Sequence, residues 1–147
     1  MCLYTNSPTP LIAEHDIVCY KVVYNYNTGF FNAIVMNFEY EIGKIYNEPL
    51  FETALFCRCD ESFYEQEKFE AYYGFHSYIQ YNVAKRVCRI VDYRTFNTAV
   101  ILKCIILKGS EYYIGNSDSD YCSKNIRVVG WKTANALFWK RKNPKKV

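Results

Sequence analysis

No apolar run in this chain approaches the ~20 residues that a membrane-spanning helix needs. The longest, Ala99–Leu107, is broken by Lys103. The N-terminus has neither a basic n-region nor an apolar h-region, which argues against a secretory signal and for an intracellular protein. A P-loop is missing: Lys108-Gly109-Ser110 has the residue types but not the G-x-x-x-x-G-K-[ST] spacing. Paired C-x₂₋₄-C zinc motifs are also missing. Cys57-Arg58-Cys59 is a lone C-x-C pair, and Cys2, Cys122, His15 and His76 fall at irregular spacing, so no metal is expected. There is no internal repeat, low-complexity tract or linker.

Aromatic residues are abundant, with 15 Tyr and 10 Phe among 147 residues. Tyrosine supplies core area and a polar tip, and it is enriched at interfaces. Half the residues are hydrophobic, so the chain can bury a core as a single domain. The seven cysteines are odd in number, and an intracellular setting disfavours disulfides. Cys19, Cys88 and Cys104 lie within apolar patterns and read as small core residues.

Charge is unevenly placed. Five of the 18 Lys and Arg lie in Lys140–Val147, a stretch without acids, so the overall +3 belongs to that tail. Glu39–Glu70 is acidic and Lys85–Lys108 basic, two opposed patches along the chain.

Hydrophobic periodicity sets the elements. Ile17–Tyr24 is β-branched and aromatic and reads as a strand. Glu111–Ile114 and Ile126–Val129 are further strands; Phe30–Phe38 fits a strand or a helix, Tyr40–Tyr46 around Gly43 a short or bulged strand, and Phe51–Cys59 a strand in preference to a short helix. Ala99–Leu107 is apolar at both parities, which predicts burial on both faces and a central place in its sheet. Ile79, Val83, Ala84, Val87, Cys88 and Val91 share one helical face, with Asn82, Lys85, Arg86 and Arg89 opposite. Ser77 with Gln80 has capping-box spacing and predicts a helix over 77–91. Gly74 before it suits a positive φ. Trp131, Ala134, Leu137 and Phe138 fit the inner face of a short C-terminal helix. The expected fold is α+β: a mostly antiparallel sheet on one main helix, with residues 1–139 as one domain and 140–147 as a basic tail.

Several residues are candidates for chemistry. His76, beside the turn into the helix, could serve as general acid/base or contact a nucleotide ribose, or it could simply lock the turn. Glu111 is the carboxylate to test with it. Lys108 and Ser110, at a Gly turn, could meet a phosphate. Lys85, Arg86 and Arg89 form a basic helix face for an acidic partner or phosphorylated ligand. Cys2 follows the initiator Met, but its amine is not free and no Gly follows. The basic tail with Trp131 and Trp139 could contact nucleic acid.

Ile17-Val18-Cys19-Tyr20-Lys21-Val22, then Gly74-Phe75-His76-Ser77-Tyr78, then Ala99 through Gly115 with Lys108-Gly109-Ser110-Glu111-Tyr112-Tyr113, and Tyr121 through Ile126 resemble a loose group of small proteins. The group occurs in gut Bacteroidetes, their phages and prophages, and in parts of some large-virus proteins. The resemblance covers most of residues 1–129, and Leu107 stands where the group often has Pro. The group carries no established activity, so the resemblance implies a setting. It implies a small accessory protein of phage type in the bacterial host cytoplasm. Such a protein would act by binding a host defence effector or sequestering a nucleotide signal, without a cofactor. The alternative is an ADP-ribosyl- or phosphoryl-transferase using His76.

Overall fold

The computed structural model describes residues 3–5, 7, 9–34, 38–51, 53–57, 68–71, 73–95 and 98–146. In chain order the elements are β1 (Leu3–Thr5), β2 (Leu11–Ile12), β3 (Ile17–Asn25), β4 (Phe31–Ala33), β5 (Glu39–Tyr40), β6 (Ile45–Asn47), β7 (Thr53–Cys57), β8 (Lys68–Ala71), β9 (Phe75–Tyr78), α1 (Tyr81–Thr95), β10 (Ala99–Ile106), β11 (Glu111–Ile114), β12 (Asp120–Ser123) and β13 (Asn125–Lys132). Ten strands form one sheet, with the order β2-β11-β12-β9-β3-β10-β13-β6 and with β4 and β5 attached at β3. A second, three-stranded sheet, β1-β8-β7, is paired separately. Every pairing among the described residues is antiparallel, and α1 is their only helix, so the α+β expectation holds at this level.

β10 is central, between β3 and β13, as its two-sided hydrophobicity requires. One of its faces, with Val100, Leu102, Cys104 and Ile106, meets Cys19, Val23, Phe31, Tyr40, Phe75 and Trp131 in the main core. The other, with Ala99 and Ile101, packs with Val22 under Ala84 and Cys88 of α1. A third cluster joins Leu3, Phe51, Ala71, Tyr113 and Cys122.

The helix is displaced from its expected span by about one turn. Ser77 is buried at 3% exposure within β9, opposite Tyr121, and cannot cap. Gln80 takes the cap position instead: its carbonyl accepts the Ala84 amide at 3.3 Å. The heptad-like apolar face survives the shift, because Ala84, Val87, Cys88 and Val91 still meet the sheet.

The expected C-terminal helix is not formed. Trp131 belongs to β13, and the chain returns to bridge it at Lys140 through paired backbone hydrogen bonds. Trp131 packs on Phe31 at 5.3 Å and donates its indole N–H to the Lys142 carbonyl at 2.8 Å. Trp139 stacks on Tyr20 at 6.0 Å, and the Lys132 ammonium sits over the rings of Tyr81 and Trp139. These distant aromatic contacts override the local helical periodicity. Leu137 and Phe138, expected inside, are 84% and 81% exposed.

The strand expected over 30–38 is shorter, Phe31–Ala33, and 35–37 lie outside the described residues. So do Cys2, Arg58 and Cys59. No described helix is long and apolar enough to cross a membrane.

Candidate functional site: a cavity at a strand fork

β3 pairs with the whole of β10 along one edge, but its other edge is shared. Tyr20 pairs with Tyr78 of β9, while Val23, Tyr24 and Asn25 pair with β4. Between these two partners the sheet forks. A cavity of about 290 Å³ opens there, lined by apolar groups such as Val22, Ile34, Phe38 and Val87 and by Lys21, His76 and Asp120.

Lys21 is the unusual residue. It stands opposite Leu102 on a face it shares with Cys19 and Val23, and all three neighbours are fully buried. Its ammonium donates to the His76 carbonyl and lies 5.5 Å from the Tyr40 ring centre. It forms no ion pair among the described residues, where the one salt bridge joins Lys44 and Glu41. Desolvation pulls its pKa below the ordinary lysine value. Lys21 nevertheless keeps some accessible area, as a charge on a cavity wall does without bulk hydration.

His76 lies in β9, opposite Cys122, and not at the turn into the helix. Its Nε2 is 3.7 Å from the Cys122 sulfur, and its Nδ1 is buried without a partner. Burial, together with the Lys21 charge, pulls the imidazole down to about 4, so the ring is neutral at pH 7. Burial pushes the Cys122 thiol up to about 12 and Cys19 up to about 11, which keeps both protonated and unreactive. Ser77 Oγ has only the weak thiol of Cys19 for company. Asp120, also raised by burial, reaches Ser119 Oγ at 3.3 Å.

The structure does not bring His76 and Glu111 together. His76 pairs with Cys122 and Cys122 with Tyr113, so Glu111 is two strands over and two residues along, about 12 Å away at ordinary strand spacings. Glu111 does not line the cavity. The pair expected for a transferase is absent, and a ring titrating near 4 is a weak base at pH 7.

The Lys108-Gly109-Ser110 turn has no free amide for a phosphate. Lys108 N donates to Asp16 Oδ1 at 2.9 Å, Gly109 N to the Ala13 carbonyl at 2.8 Å and Ser110 N to the Leu107 carbonyl at 2.9 Å. Ser110 is buried, and its hydroxyl donates to the Glu111 carbonyl. Neither tryptophan of the tail is free to stack on bases, since Trp131 is buried and Trp139 is held by Tyr20 and Lys132.

On α1, Arg86 and Arg89 are exposed and Lys85 half-buried, on the face turned from the sheet. Arg89 donates to Asn135 Oδ1 at 3.0 Å, which ties the segment leading to the exposed Leu137 and Phe138 to this face. Tyr93, 86% exposed, continues it. Among the described residues no three metal-ligating side chains converge.

Comparison with protein family models, with curated proteins and with solved structures returns no match. The functional reading therefore rests on the geometry. Sequence reasoning missed Lys21 as a site residue. The available signal was a lysine at the inward parity of Cys19 and Val23, inside a run otherwise made of strand-core residues.

Proposed function

We propose that the protein acts by binding, engaging an acidic partner protein through the outer face of α1 and the adjoining 135–138 segment. The observation that carries this reading is the exposure of Leu137 and Phe138, at 84% and 81%, two and three residues beyond Asn135, which Arg89 ties to the cationic face of α1. Adjacent exposed large apolar side chains in a segment tied to a cationic helix face have the make-up of an interface anchor with a charged rim. Complementarity then calls for a carboxylate-rich partner surface with an apolar recess. The resemblance to small proteins of Bacteroidetes phages and prophages supports the setting of an accessory protein, with a host defence effector as the partner.

The test is affinity capture from lysate of a Bacteroidetes host, read by native mass spectrometry, with wild type beside two double variants. These are Arg86→Glu with Arg89→Glu, and Leu137→Ser with Phe138→Ser. We expect one protein captured by wild type to fall at least tenfold in both variants and to elute with salt, while the melting temperature stays unchanged. Equal recovery from both variants would remove this face from the site.

A further inference from the structure

We infer that the cavity at the fork of β3, β4 and β9 is a binding site for a small monocarboxylate with an apolar body, its carboxylate seated on the Lys21 ammonium. This site is distinct from the α1 face and does not rest on the partner proposed for it.

Three observations converge. First, Lys21 is a desolvated cation whose polar contact is one neutral carbonyl. Buried charges in proteins are ordinarily paired, so the position calls for a counter-charge from outside the chain. Second, Ser77 Oγ, buried without a proper partner, lies on the face that Lys21 shares with Cys19, while His76, whose Nδ1 is also unpartnered, borders the cavity from the opposite face of β9. Buried polar groups left unpaired are few in native proteins, and an unpartnered hydroxyl on the face of Lys21 marks a place where a polar group is received. Third, the remaining wall is apolar: Val22, Val23, Ile34, Phe38, Val87 and Val91. A mostly apolar pocket with a few placed polar groups is the usual form of a small-ligand site.

Charge and size select the class. Glu48 and Asp120 also border the cavity, and their repulsion grows with the charge of the ligand, so Lys21 can offset it best for a single negative charge. A monoanion is thus favoured over a nucleotide phosphate. The volume of about 290 Å³ equals that of about ten waters, which suits a ligand of about ten non-hydrogen atoms.

Octanoate is the probe, with 1-octanol as its uncharged counterpart and inorganic phosphate as the headgroup without a body. Calorimetric titration of the full chain at pH 7 should give saturable octanoate binding at least tenfold tighter than octanol, with no phosphate binding. In Lys21→Met the preference for octanoate should vanish. The wild-type comparison stands even where that variant fails to fold. Equal binding of octanoate and octanol would overturn the assignment of the carboxylate to Lys21. Phosphate binding as tight as octanoate would overturn the apolar body, and absence of octanoate binding would overturn the site.

Discussion

The Lys21 ammonium donates to the backbone carbonyl of His76 at the point where β9 parts from β3. Continued pairing would set Val22 opposite His76, but β4 takes over the edge at Val23. A side chain thus satisfies a carbonyl that a strand would otherwise serve, and the same contact holds a cation at the cavity wall.

The two partners of this contact titrate in opposite directions from an ordinary pair, because neither has a carboxylate. For His76 the folded value of about 4 lies below the ordinary 6.5, so the unfolded chain binds more protons between those values. Stability is retained above about 6.5 and falls as pH drops toward 4. Relative to His76→Gln, wild type should lose roughly 3 kcal/mol over that window in urea denaturation. Parallel stability curves for the two proteins would show that the ring is hydrated in the folded state.

For Lys21 the folded pKa is also lowered, here from 10.5. Below both values the buried ammonium destabilises the fold, and this cost is relieved as pH rises through the folded value toward 10.5. Wild type should therefore gain stability relative to Lys21→Met between neutral pH and 10. The difference between the two proteins cancels the titration of the buried thiols and phenols, which acts in both. A wild type that gains nothing on Lys21→Met over this range, or loses ground to it, would contradict an uncompensated Lys21.

Gly74 combines two constraints that other glycines carry singly. Its φ is +124°, and a Cβ there would stand 2.7 Å from Cys122 Sγ and 3.0 Å from the Phe51 ring. Gly29 has φ +90° but open space around it. We expect Gly29→Ala to cost about 1 kcal/mol from backbone conformation alone. Gly74→Ala should cost about 2–4 kcal/mol in the same thermal or urea assay, from conformation plus overpacking. Equal losses would mean that the Cys122 and Phe51 side chains yield freely.

The basic C-terminal segment is a structural part of the fold. Lys140 closes a bridge with Trp131, Lys142 accepts the Trp131 indole, Asn143 accepts the Ile42 amide at 2.6 Å, and Pro144 is buried. Truncation after Trp139 should destabilise the protein by about 2–4 kcal/mol, since net hydrogen-bond contributions near 1 kcal/mol each are lost along with cover over a buried indole. A melting temperature unmoved by the truncation would contradict this docking.

The expected and observed structures agree where local chemistry decides and part where distant segments meet. β11 falls on Glu111–Ile114 as expected after the Gly109 turn, and β10 is central because both of its parities are apolar. At Ser77 the capping-box spacing was present, but strand pairing with Tyr121 captured the residue and moved the helix start to Tyr81. At Leu137 and Phe138 the helical spacing was present, but Trp131 and Trp139 were claimed by Phe31 and Tyr20 from the other end of the chain.

The sequence by itself determined the antiparallel α+β class, the central strand, the sheet-facing stripe of the helix and the positive φ at Gly74. Periodicity and backbone sterics act between near neighbours and need no knowledge of the rest. Tertiary structure alone decided that Lys21 lies without a carboxylate at a fork between two partner strands, that His76 and Glu111 stand apart, and that Leu137 and Phe138 face outward. Each depends on which strand claims a shared edge or which aromatic ring claims a pocket, a competition between segments tens of residues apart.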